Sequence, residues 1–186
     1  MKKVMINYII SSDLYRFSQK KSILSIISTC KYPGFRYMLI IRLLAQMSRY
    51  NPIKLVLRFL KRRYMFKYGF QISEKTKIGP GFYIGHFGTI VINQNSETGK
   101  NCNITHNVTI GRTNRGKLKG SPVIGDEVWI GTGSVIVGKI IIGNNVLIAP
   151  NSFVNFDVPN NSIVIGNPGK IIRKNNPTKN YINNKL

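Results

Sequence analysis

Acidic side chains are what this 186-residue chain has least of: six Asp and Glu stand against 28 Lys and Arg, a net charge of +22. Histidine is almost as scarce, with only His86 and His106, so a zinc site of three histidines cannot be built in the usual way. The two cysteines, Cys30 and Cys102, lie far apart with no CxxC spacing, which excludes a disulfide framework and leaves free buried thiols. No uncharged run before residue 77 is long enough to cross a bilayer. The opening MKKVMINYIISSD lacks a small-residue cleavage site, and Asp13, Arg16, Lys20 and Lys21 follow at once, so a cytoplasmic protein is expected. Recognisable RNA-binding motifs are missing as well, which argues against a nucleic-acid partner despite the charge.

What is present is enough to build a core, since 42% of the residues are hydrophobic. The positive charge is concentrated. Residues 1–70 carry 15 basic side chains and one acid, a balance of +14, against 13 basic and five acidic in the remaining 116, a balance of +8. Such a field attracts polyanions, anionic lipid headgroups among them. Segments 36–50 and 53–66, separated by Asn51-Pro52, read as two short basic helices.

From Ile72 onward the texture changes. Ile72, Ile78, Ile84, Ile92, Thr98, Ile104, Ile110, Ile124, Ile130, Ile136, Ile142, Ile148 and Val154 recur at six-residue steps, twelve of the thirteen aliphatic, with a two-residue slip near Ile90 and an insertion at 112–123. The fourth residue after each is usually small or β-branched, Phe82 being the large exception. A period of six fits neither a helix nor one alternating strand. It fits a solenoid in which three hexads close a triangular coil and stacked coils bury a continuous core. The chain therefore divides into a basic α-helical segment (1–70), a β-helix (71–173) with a loop at 112–123, and a polar tail (174–186) expected to fray.

Hexads three apart share one side of the prism. Those at Ile84, Ile104, Ile130 and Ile148 place His86, His106, Thr132 and Pro150 in one outward column, with neighbours about 4.8 Å apart, beside the loop that leaves after Gly111. An exposed imidazole on a rigid scaffold suits general-base catalysis, so both histidines are catalytic candidates.

These residues carry a resemblance. The hexad array, the protruding loop and IGHFGT resemble the left-handed β-helix acyltransferases, specifically the serine acetyltransferase branch, over about residues 13–173. SDLYRF, YPGF, NVTIGRTNRG, the coils from VWIGTG to NSFV and the closing GNPGKII are similar to that branch too. The resemblance implies a mainly β fold, a left-handed parallel β-helix, and a homotrimer with acetyl-CoA in the groove between neighbouring subunits and no metal. It implies His86 as base; by their positions Gly111, Thr132 and Pro150 would line the pantetheine path, and Lys170 and Arg173 are the cations that suit the nucleotide phosphates. An N–H near Gly111 would steady the oxyanion.

Two departures bear on the acceptor. Gln71 stands where the family has an aspartate, and Ser121 stands where it has a histidine before the loop proline. With the short amino-terminal segment and the TNRGK loop, they direct the expectation to acetylation of a sugar hydroxyl. The acceptor would be a bacterial surface polysaccharide, capsule or O-antigen, or its lipid-linked precursor, with the basic segment touching the inner membrane face. Serine O-acetyltransferase and amino-sugar N-acetyltransferase are the alternatives.

Overall fold

A computed structural model describes residues 2–20 and 22–186. Four helices come first: α1 (Lys2–Ser18), α2 (Ile23–Thr29), α3 (Pro33–Gln46) and α4 (Ile53–Tyr68). The last two are the helices expected from the sequence; α1 and α2 are additional. Pro33 opens α3 at a position where its missing N–H costs nothing, and Gly69, at φ 76°, closes α4 in the left-handed conformation.

Fifteen short strands, β1 to β15 in chain order, span residues 70–173 and form three sheets. The first sheet stacks β1 (Phe70–Ile72), β4 (Ile90–Ile92), β7 (Val108–Gly111), β10 (Val135–Val137) and β13 (Phe153–Val154). The second stacks β2 (Lys77–Ile78), β5 (Glu97–Thr98), β8 (Val123–Ile124) and β11 (Ile141–Ile142). The third stacks β3 (Tyr83–Ile84), β6 (Asn103–Ile104), β9 (Trp129–Ile130), β12 (Val146–Ile148), β14 (Ser162–Ile165) and β15 (Lys170–Arg173). All pairings between these strands are parallel except that of β15, which turns back on β14.

The register follows the hexads. Ile84 pairs with Ile104, Ile104 with Ile130, and Ile130 with Ile148, so the two-residue slip near Ile90 is absorbed between coils. All thirteen hexad positions are buried, and Phe82 fills the interior beside them at 1% exposure. The free Cys102 takes one of the small inward positions, where burial pushes its thiol up to about 12; Cys30 is free and half-buried.

One corner shows how coils stack. The Asp126 carboxylate accepts the N–H of Lys100 (2.9 Å), the Asn144 carboxamide accepts that of Asp126 (2.8 Å), and Asn160 accepts that of Asn144 (2.7 Å). Glycine precedes each receiving residue because a Cβ at Gly99, Gly125 or Gly143 would lie 2.3–2.4 Å from the oxygen that caps it.

The helices close the first coil. Arg42 of α3 is paired with Asp13 of α1 (2.9 Å), both buried, and the same carboxylate accepts the N–H of Phe82 (3.0 Å). Gly34 of α3 lies against β3, where a Cβ would stand 2.3 Å from the Ile84 carbonyl oxygen. Gly34→Ala must push α3 off the coil, and chemical denaturation should show a loss of about 1–3 kcal/mol.

The expectation of a frayed tail fails. Ile182 and Thr178 are buried, the Tyr181 ring packs on Trp129 with centroids 4.9 Å apart, and Asn103 donates to the Tyr181 carbonyl (3.1 Å). Arg16 reaches from α1 to the Asn183 carbonyl and the Asn103 carboxamide, so the tail is strapped across the third sheet and against α1. Its polar composition conceals these anchors because each partner lies far away in sequence.

Candidate functional site

The third sheet delivers the histidine column as the hexad count requires. His86 follows β3, His106 follows β6, and their rings stand edge to face at 86° with centroids 5.9 Å apart. The column continues through backbone bonds: Gly133 donates to the His106 carbonyl (3.2 Å) and Asn151 to that of Thr132 (2.8 Å). Thr132 also donates its hydroxyl to Thr105 (3.2 Å), while Pro150 is exposed at the end of the row.

His86 is exposed. Its loop is rigidly placed, since Gly88 donates to the Tyr68 carbonyl at the end of α4 (3.0 Å) and the Phe87 ring faces Tyr68 at 6.1 Å. Gly88, at φ 140°, brings this loop so close to the next coil that a Cβ there would stand 2.9 Å from that of His106. Among the described residues no hydrogen-bond partner orients either imidazole, and Nδ1 of His106 is buried and unpaired.

The six carboxylates are all committed elsewhere: Asp13 to Arg42, Glu74 to Lys61, Glu97 to Lys77, Asp126 to Lys100, Glu127 to Lys185, and Asp157 to the N–H of Ile141. No Asp or Glu side chain therefore pairs with His86 within one chain. Gln71 does not take that role, being exposed on the outer face of the first sheet, in register with Val91.

Beside His86 lies a recess of about 440 Å³, lined by Arg16, Tyr83, Thr105, Trp129 and Tyr181 among others. None of the five follows from the hexad count. Trp129 and Tyr83 occupy the outward position before a hexad isoleucine, and the lone tryptophan on an outer face is the signal that was available.

The loop is not beside the histidines. It leaves after Gly111, where the first sheet runs into the second, whereas His86 and His106 stand where the third runs into the first. Gly111 and the histidines thus flank opposite ends of the first sheet's strands. The loop folds as a small hairpin, with Thr113 and Gly120 bonded to each other (2.9 Å) and Lys139 donating to the Leu118 carbonyl (2.8 Å). Ser121 lies 3.2 Å from the Asn93 carboxamide oxygen and makes no contact with His86.

Lys170 and Arg173 sit at the two ends of β15, both exposed, and Arg173 is held to the Asn160 carbonyl at 2.9 Å. They are not brought to the histidine column. Groups of three or more His, Cys, Asp or Glu able to hold a metal are absent among the described residues.

Comparison with known proteins bears on this geometry. Residues 121–155 match the family model described as bacterial transferase hexapeptide (six repeats). The serine acetyltransferase of Helicobacter pylori is 34% identical over 143 residues, 77% of this chain and 83% of that protein. That of Bacillus subtilis is 35% identical over 118 residues, 63% of this chain and 54% of that one. The crystal structure of the Neisseria gonorrhoeae serine acetyltransferase superposes with a TM-score of 0.75 at 28% identity, covering 92% of this chain and 68% of that one.

These relatives overturn the expected sugar acceptor of surface-polysaccharide synthesis. They carry the serine acetyltransferase name, the alternative that the departures at Gln71 and Ser121 had set aside. Within one chain neither residue stands at the histidine corner: Gln71 lies on the outer face of the first sheet and Ser121 bonds Asn93 beside the loop. A left-handed parallel β-helix closed by four helices, with a histidine pair at its corner, is an acyltransferase, and the chain belongs to the serine acetyltransferase family.

Proposed function

We propose that this protein is an acetyl-CoA-dependent serine O-acetyltransferase with His86 as general base. The observation that carries the reading is the placement of His86, exposed, edge to face with His106 and open to the adjoining recess. Acetyl-CoA supplies an acetyl group activated as a thioester. His86 takes the proton from the serine hydroxyl as its oxygen bonds to the acetyl carbon; the carbon–sulfur bond breaks, and the imidazolium returns the proton to the thiolate. No covalent enzyme intermediate is needed, and holding both substrates at the corner supplies the remaining advantage through proximity.

A trimer of parallel prisms completes the site. Gly111 and the loop stand at the far end of the first sheet from the chain's own histidines, and a neighbour packed on that sheet would meet them at its own histidine corner. Thr132 and Pro150 would then line the pantetheine, with Lys170 or Arg173 reaching the nucleotide phosphates from exposed positions. Both substrates belong to the cytoplasm, and the reading places the protein there.

The test is release of CoA from acetyl-CoA with L-serine as acceptor, with the product identified by mass. Saturable turnover yielding O-acetylserine is expected. CoA release no faster with serine than without it, across the accessible concentration range, would sink the reading.

A further inference from the structure

The helix that leads into the β-helix has a face that none of the described residues covers. Through Tyr64, Met65 and Tyr68, α4 packs on the core, yet none of its sixteen residues is buried. On the outer side Leu55 is 74% exposed, Val56 59%, Phe59 69% and Phe66 72%. At 3.6 residues per turn Leu55, Phe59 and Phe66 fall within about 40° of one another around the axis. Arg58 and Arg62 flank them on one side, and Arg63 and Lys67 on the other; all four are exposed. Lys54 and Lys61 are engaged with the Met47 carbonyl and Glu74, and α4 carries no acid at all.

We infer that this face of α4 is a docking surface for an anionic lipid bilayer, lying in the headgroup plane. An apolar centre bordered by cations is the pattern of an interfacial helix, whose aromatic and leucine side chains enter the acyl boundary while arginine and lysine reach up to phosphates. Charge chooses the occupant. A second copy docked through the same face would set Arg58, Arg62, Arg63 and Lys67 against their own counterparts, whereas an anionic leaflet attracts them. No helix of the described residues is long and apolar enough to cross a membrane, so α4 would lie on the surface. Because its last turn is bonded to the His86 loop through the Tyr68 carbonyl, docking would hold the histidine corner near the bilayer.

The inference is independent of the serine reading and is tested separately from it. The full chain is sedimented with vesicles of mixed phosphatidylglycerol and phosphatidylcholine, and with phosphatidylcholine vesicles alone. Two variants are compared: Phe59→Ser with Phe66→Ser, and Arg62→Gln with Arg63→Gln. Expected are binding at least tenfold stronger to the anionic vesicles and at least a tenfold loss in each variant, while acetyl transfer in vesicle-free solution is unchanged. Equal affinity for both vesicle types, or undiminished binding by both variants, would overturn the proposal. So would a wild-type oligomer that the phenylalanine variant splits, since the face would then belong to a second copy.

Discussion

Replacing His86 by alanine should lower kcat by about two to four orders of magnitude while leaving the fold intact. The side chain is exposed and makes no hydrogen bond among the described residues, so its removal opens no cavity and strands no buried group. A fold-neutral loss of that size identifies a group acting on substrate. Added imidazole should restore part of the rate, because the vacated corner opens to solvent and a free base can enter. His106→Ala should cost less, since His106 is only partly exposed and keeps its own Nδ1 buried. Equal losses from the two substitutions would show that the histidines work as one unit. An unchanged rate in His86→Ala would remove the base from the mechanism altogether.

The largest effect on stability is expected at Asp13. Its carboxylate is paired with Arg42 Nε at 2.9 Å, and Arg42 also donates to the carbonyls of Ile78 and Gly79. Burial pushes the Asp13 carboxyl up, while the guanidinium and the N–H of Phe82 pull it down. Asp13→Ala leaves a buried guanidinium with only carbonyls for company and leaves the Phe82 N–H without an acceptor. Breaking one side of a buried pair costs about 3–5 kcal/mol, equivalent to a drop in Tm of roughly 6–20 °C for a chain of this size. Asp13→Leu combined with Arg42→Leu should recover much of the loss, because the desolvation of both charges disappears with them. Calorimetry on the three variants checks both statements. A double variant as unstable as Asp13→Ala would show that Arg42 is needed for its carbonyl contacts alone.

The β-helix was legible because its rule is local and repeated: every sixth side chain points inward, and Ile84, Ile104, Ile130 and Ile148 pair in the order that counting gives. The histidine column came with it, being two residues beyond the same four positions. What escaped depends on contacts without a period. The tail reads as polar, yet Tyr181 finds Trp129 and Asn183 finds Arg16. The recess beside His86 escaped for the same reason, being assembled from α1, three coils and the tail. The acceptor was misjudged because two single positions, Gln71 and Ser121, were given the deciding weight, whereas neither stands at the histidine corner of its own chain.

The ladder at the corner of Asp126, Asn144 and Asn160 has a consequence for how such chains can change length. Its rungs are 26, 18 and 16 residues apart along the sequence, yet each meets its neighbour at 2.7–2.9 Å. The longest interval contains the loop at 112–123, which bulges out at a different corner and returns the backbone to the same place. One corner thus acts as a ruler and another as an expansion joint. Since coils speak only to adjacent coils, lineages could lengthen, trim or rewrite the loop without re-indexing the stack, provided Gly-Asp or Gly-Asn returns on cue.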